Sequence, residues 1–395
     1  MLLKKTLFVA FRQIVAMAMG FGSSLLFARN LGADGNGEFV AVCVMVAALV
    51  SLTSLGSGNF PNFAVGRLSD ADLQRNMFGV AALCTALATP LVLGICFWKS
   101  WSVLVHAPVL LLVLFVGFYN QAGLSFLQAR GDLRGYNFAI LGGPIFLLLA
   151  ACLTLVYPFV HVALGGFVLG ELMAFALALR YVNKHKEIYS PGHTKFLDYV
   201  NQAVKYGWKV QIILFYTLLL YRGVLFIIDK KMSLKEVGVF AVALTIVEKS
   251  GVLSQAISIA SFNQMKDGHK MNAGQLDRLA WRSFVLTFIA GLVLAGICEL
   301  IVVKILGSDY EKVAVLVLLL VPGIAAFGAG RLYLNYFFAN DRLDGLLFGL
   351  IVILFGSLSL ILLLMSYFHL YGVALGVSAA FIVVSAYLKI KRSVK

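Results

Sequence analysis

The chain has 395 residues, of which 61% are hydrophobic and 13% charged, against a charged share of about 25% in a soluble domain. A soluble core of this size cannot hide so much apolar surface, and runs of about 20 apolar residues recur along the chain, long enough to cross a hydrocarbon core of about 30 Å. The formal charge of +14 does not indicate nucleic acid, because the Lys and Arg residues fall between apolar runs instead of forming a soluble basic face.

Backbone groups in lipid must be satisfied within a segment or a closed barrel. These runs show no period-two alternation, so the expected fold is an all-α membrane protein. The start of the chain resembles a secretory leader, with Met1 to Lys5 before an apolar run and Ala16-Met17-Ala18 as a cleavage site. Arg12 and Gln13 interrupt that run, which continues to Ala28, so a retained helix is expected. Predicted spans in the first half are 7–28, 38–56, 77–98, 103–127, 137–157 and 160–181. The second half adds 209–228, 237–260, 282–303, 313–338, 345–367 and 370–388, about twelve helices in all.

Charge placement gives the orientation. With the N-terminus inside, 21 of the 32 Lys and Arg residues fall on the cytoplasmic side and four inside spans. Only Arg29, Lys99, Lys230, Lys231, Lys235, Lys304 and Lys312 fall outside, so both termini are expected in the cytoplasm. The most basic polar stretch, 182–208, reads as a cytoplasmic linker between an N-terminal six-helix lobe, 1–181, and a C-terminal one, 209–395.

Two internal matches support that division. Ala129–Phe138 aligns without gaps on Ala339–Phe348, with Ala, Leu, Gly and Phe in common, each after the fourth helix of its half. Gly37-Glu38-Phe39 and Gly238-Val239-Phe240 open the second helix of each half. Six helices followed by six in the same orientation make a parallel repeat, the layout of transporters that rock one half against the other.

The stretch Leu26 to Phe39 (LFARNLGADGNGEF) resembles the first outer turn of the polysaccharide-transport branch of the multidrug/oligosaccharidyl-lipid/polysaccharide (MOP, MATE-like) exporter superfamily, the Wzx-type O-antigen flippases among them. The turn Arg130 to Arg134, the segment Gly238 to Ala243 and the segment Ile305 to Tyr310 add to it. The resemblance extends over essentially the full length through helix number and spacing. It implies a multi-pass protein of the bacterial inner membrane that flips undecaprenyl-diphosphate-linked oligosaccharide, an O-antigen or related lipopolysaccharide repeat unit, from the cytoplasmic to the periplasmic leaflet. Membrane lipid, a proton or sodium ion for coupling, a polysaccharide polymerase and a chain-length regulator are the expected partners. The lipid II flippases share the pattern of the first turn but usually carry fourteen helices.

An ionisable side chain at membrane depth costs several kcal/mol unless it meets a cavity or a partner. Arg222, Lys249 and Arg12 read as a cationic cavity for a diphosphate, since Arg offers paired donors and Lys a point charge. The alternative pairs Arg222 with Glu248 across adjacent helices as a structural tie. Glu248 and Lys249 are sequence neighbours and point about 100° apart, so they cannot satisfy each other on one helix face. Glu171, near mid-depth, is either a coupling site for a proton or cation or a protonated acid bonded to a neighbouring helix. Arg331 either lines the cavity or anchors its helix at the cytoplasmic surface, and Arg29 either gates the outer exit or meets headgroups. Asp34, Gly35 and Gly37 fit a tight interhelical turn.

Enzymatic chemistry, a metal site and a bound cofactor are not expected. His106, His161, His185, His193, His269 and His369 are scattered without HExxH spacing or a triad. The five cysteines form no CxxC pair, and the Gly-rich stretches lie within spans, where close helix packing accounts for them. A MATE-like exporter of cationic drugs and a membrane-embedded polysaccharide polymerase are the competing functions. The four cations within spans, Arg12, Arg222, Lys249 and Arg331, against the acids Glu171, Glu248 and Glu299, favour an anionic cargo.

Overall fold

The computed structural model describes residues 2–54, 56–99, 102–185, 194–252, 254–255, 257–258, 261, 273–339 and 344–393, with the side chains of 2–14, 133, 210, 214, 273, 338–339 and 344 outside that description. Among these residues all regular structure is helical, and nine helices are long and apolar enough to cross a membrane. The chain divides into two compact units. One comprises Met1–Asn30 and Val42–Phe215, the other Leu31–Ala41 and Tyr216–Lys395.

Helix α1 (Leu2–Thr53) is broken at Gly32, whose φ of 70° and ψ of −179° are open to a residue without a Cβ. The predicted spans 7–28 and 38–56 fall on either side of that break. The turn therefore sits earlier than the sequence suggested. Gly35 and Gly37 are helical, and the requirement at Gly37 is for close packing, not for positive φ.

The first unit continues with α2 (Phe60–Ala64), α3 (Asp70–Trp98), α4 (Val103–Ala129), α5 (Leu133–Leu153), α6 (Val160–Lys184) and α7 (Phe196–Leu218). Helices α5 and α6 pack most extensively, because Gly142 lies against Ala174, Gly143 against Gly170 and Ala150 against Gly166. Small residues let two backbones approach in a medium where apolar burial alone gives no preference for helix contact over lipid contact. Two of the helix starts are capped by side chains: Ser69 Oγ accepts from the Asp72 amide ahead of α3, and Asp132 accepts from the Gly135 amide at 2.9 Å ahead of α5.

Polar ties fasten one end of this unit. Asp70 on α3 pairs with Arg130 just beyond α4, the Gln74 side-chain amide donates to the Val182 carbonyl at 2.9 Å, and His185 meets Asp132 at 3.0 Å. Partial burial pushes the Asp132 carboxyl up, but the Gly135 amide and His185 outweigh it and hold the group below its ordinary value. Helix α6 runs three residues into the stretch read as linker, and α7 begins inside it. Residues 186–193 of that stretch lie outside the description.

In the second unit α7 leads into a π-helical turn (Leu219–Gly223) and α8 (Val224–Lys231). Helix α9 (Leu234–Ser250) starts at Ser233, whose hydroxyl accepts from the Glu236 amide, the first half of an S-x-x-E capping box. Helix α10 (Ala273–Leu306), a short 3₁₀ turn (Ser308–Tyr310) and α11 (Val313–Ala339) follow. Helix α12 (Asp344–Ser393) is broken at His369, with φ 51° and ψ −130°, between the predicted spans 345–367 and 370–388. The second copy of the Ala129–Phe138 match has residues 340–343 outside the description.

Helices α11 and α12 interlock beside Pro322. The Gly323 amide donates to Ser378 Oγ at 2.8 Å, and Ser385 Oγ donates to the Ala326 carbonyl at 2.7 Å. The short segment Leu31–Ala41 joins this unit by crossing α9. Gly37 lies against the Leu234 carbonyl, Gly238 against the Ala33 carbonyl, and Asn36 donates to the Gly238 carbonyl at 3.4 Å. The two glycines singled out by the internal match thus meet each other in reciprocal fashion.

Candidate functional site

The ionisable residues of the second unit converge on the π turn. A π turn accommodates an extra residue in the helix, and such turns are frequent at functional sites. Here it carries Tyr221 and Arg222. Arg222 Nη2 lies 2.5 Å from Glu248 Oε1 on α9, and the two side chains keep 29% and 23% of their surface exposed, so the pair opens onto accessible space. The Tyr221 hydroxyl also bonds to Glu248.

Arg331 completes the cluster from α11. Its guanidinium stacks 4.5 Å from the centre of the Phe327 ring, in a cation–π arrangement, and interacts electrostatically with Tyr221 and Glu248. Phe327, Phe381 and Tyr221 form an aromatic group with ring centres 4.7 to 6.3 Å apart. Lys249 is half-buried and interacts with both Glu248 and Arg222. Arg331 thus sits in the charged cluster and not as an isolated anchor.

Three cations, Arg222, Lys249 and Arg331, surround one carboxylate, Glu248. The ion pair that the sequence offered as a structural alternative is present, yet it neutralises only one cation. In a low-dielectric setting two charges 4 Å apart interact by about 4 kcal/mol at an effective dielectric near 20. The surplus positive charge therefore attracts an anion strongly, and the two guanidinium groups offer paired donors to phosphate oxygens.

In the first unit Glu171 on α6 accepts from Asn120 Nδ2 on α4 at 3.0 Å. Arg29 is exposed near the end of the first part of α1, where its neighbour Asn30 donates to Thr154 at 3.0 Å and to the Ala151 carbonyl at 3.2 Å. The Arg12 side chain lies outside the description. Sequence reasoning missed Asn120, Tyr221, Phe327 and Phe381, which carry no net charge and so pass a screen for ions at depth. It also missed the π turn, for which Leu219-Leu-Tyr-Arg-Gly223 contains no distinguishing signal.

No family model matches the sequence, and no curated protein matches it. Solved structures do match. One is the lipid II flippase MurJ in an inward closed conformation, at TM-score 0.74 and 14% identity, covering 98% of this chain and 87% of that one. Another is an inward-facing multidrug resistance MATE family transporter of the MOP superfamily, at TM-score 0.67 and 14% identity, covering 98% and 97%. A third is the eukaryotic MATE transporter AtDTX14, at TM-score 0.61 and 16% identity, covering 99% and 96%. At these identities the likeness establishes the fold, which is the MATE-like helical fold of these proteins.

Proposed function

We propose that this protein is an alternating-access flippase for a polyprenyl-diphosphate-linked oligosaccharide, an O-antigen or related repeat unit, in the bacterial inner membrane. The observation that carries the reading is the excess of cations around Glu248 at the π turn. A diphosphate would bind Arg222, Lys249 and Arg331, its sugars would lie among the aromatic rings, and the polyprenyl tail would stay in lipid. The likeness to MurJ supports a lipid-linked cargo, and nothing in the cluster suggests covalent chemistry.

Twelve membrane crossings in two lobes fit this reading. Among the described residues nine helices qualify by length and composition, and two of those, 39 and 49 residues long, are each broken near the middle and long enough for two crossings. Helix α9, with 17 residues, would supply the twelfth. The lobes would be 1–181 and 209–395, joined by 182–208, with both ends in the cytoplasm. A polymerase and a chain-length regulator would act next on the flipped product.

The MATE likeness favours a second reading, a cation-coupled drug exporter. The two readings differ in the charge of the cargo. In cells that depend on this protein for surface glycan, Arg222→Ala should abolish the glycan at unchanged protein abundance. Normal glycan in that variant would remove Arg222 from the site. Drug sensitivity that rises while glycan stays normal would favour the exporter.

A further inference from the structure

We infer that Glu171 and Asn120 form a proton-binding site in the first unit, in which the Asn120 amide follows the protonation state of the carboxyl. Asn120 is 7% exposed, and its amide nitrogen makes two contacts, both to Glu171: 3.0 Å to Oε2 and 3.3 Å to the backbone carbonyl. Its Oδ1 is buried and has no hydrogen-bond partner among the described residues. A buried carbonyl oxygen left unpaired costs roughly 1–3 kcal/mol, and it lies on the same amide that serves the carboxylate.

Among the described residues no positive charge compensates Glu171. Helices α4 and α5 pack against α6, and the contacts of Gly142 with Ala174 and Gly143 with Gly170 set the level of Glu171 on α5. Arg134 and Tyr136 of α5 lie six to nine residues toward one end and Cys152 about as far toward the other, roughly 10–13 Å along the helix at 1.5 Å per residue. On α4 the titratable groups are His106 and Tyr119. Of these Tyr119 is at the level of the pair, with its ring edge-on to Phe175 at 5.0 Å. On α6 itself His161, Arg180, Tyr181 and Lys184 lie nine or more residues away, beyond about 13 Å.

Two arrangements of the amide match two states of the acid. Ionised, Glu171 accepts from Asn120 Nδ2, as observed. When hydronium gives a proton to a carboxylate oxygen and leaves as water, the new O–H can donate to Oδ1 once the amide turns about its terminal torsion, and the orphaned acceptor is satisfied. One O–H bond breaks in the hydronium and one forms on the carboxyl; no other covalent bond changes. A hard metal cation is a poorer occupant, because such ions take about six oxygen ligands and the two side chains offer the carboxylate and one amide oxygen. The half-buried position of Glu171 gives water a route to it. Its use in driving cargo rests on the flippase reading, but proton binding does not.

The test is infrared difference spectroscopy of the full chain in nanodiscs between pH 5 and pH 8, with no cargo added. The carbonyl band of a protonated acid should vanish in Glu171→Gln, and Asn120→Ala should move its midpoint by about one pH unit, a tenfold change in proton affinity. Glu171→Asp, which keeps the acid, should shift the band without removing it, and serves if Glu171→Gln does not fold. A band that persists in Glu171→Gln overturns the site, as does a midpoint indifferent to Asn120→Ala. So does the same spectral change on exchanging potassium for sodium at fixed pH, which would put a metal ion there. Loss of surface glycan in Arg222→Ala reports on the flippase reading separately.

Discussion

Replacing Gly238 by alanine probes the crossing of Leu31–Ala41 over α9. A methyl group at position 238 would fall well inside van der Waals contact with the Ala33 carbonyl, and within 3.1 Å of the Gly37 nitrogen, which is backbone and cannot rotate away. Overpacking of this kind costs about 1–3 kcal/mol. Separation of the helices would also stretch the Asn36 bond to the Gly238 carbonyl, 3.4 Å at the outset, worth about 1 kcal/mol at most. The crossing should therefore be weakened by about 2–4 kcal/mol, or roughly thirtyfold to several hundredfold in its equilibrium. Spin labels on the exposed Asp34 and the half-buried Glu236, read by pulsed electron resonance, should show a longer and broader distance in Gly238→Ala. Gly20, with nothing within 4 Å of an added Cβ, supplies the control, and Gly20→Ala should leave the distribution unchanged. An unaltered distribution and melting temperature in Gly238→Ala would refute the packing argument.

Removal of Glu248 leaves three cations without their carboxylate, so Glu248→Ala should destabilise the protein by about 1–3 kcal/mol, below the 3–5 of a fully buried pair because both partners are partly exposed. The paired change Arg222→Leu with Glu248→Leu should recover part of that loss in thermal unfolding; a double variant less stable than Glu248→Ala would contradict the role of the pair. Because Asp132 is held below its ordinary value, its contribution is present above about pH 4 and is lost as pH falls through the lowered folded value. Asp132→Asn, which keeps an acceptor for the Gly135 amide, should flatten that acid limb in a pH series of melting temperatures, and an unchanged limb would assign it to other carboxylates.

Hydropathy and charge made the helical segments legible, including the two that adjoin Gly32, because depth in a membrane is written as a linear run of apolar residues. The direction in which a side chain points is not. Arg222 and Glu248 could be named as ions at depth, but that Arg331 joins them depends on how α11 packs and on the added residue of the π turn. Asn120 was invisible for a different reason: an amide in an apolar helix is unremarkable until an acid is found opposite it. Gly37 and Gly238 were legible as an internal match, and their partner, each other, emerged only when the two segments were brought together. The division of Leu31–Ala41 from the rest of α1 likewise follows from tertiary contact, which a linear pattern does not contain.

The π turn has a consequence for how much length this helix tolerates. An ordinary helical segment that loses one residue turns everything beyond it by about 100°, sending side chains to new faces. A segment that already carries a surplus residue can lose one and revert to regular winding with α8 still in phase. Deletion of Leu219 should thus preserve the setting of Leu225 and Ile228, both buried on α8, while turning Tyr221 and Arg222 away from Glu248. The same shortening inside α9 would misplace an entire buried face. Chain length at this turn is adjustable without rebuilding the bundle, which makes it a place where the charged cluster can be retuned independently of the scaffold that holds it.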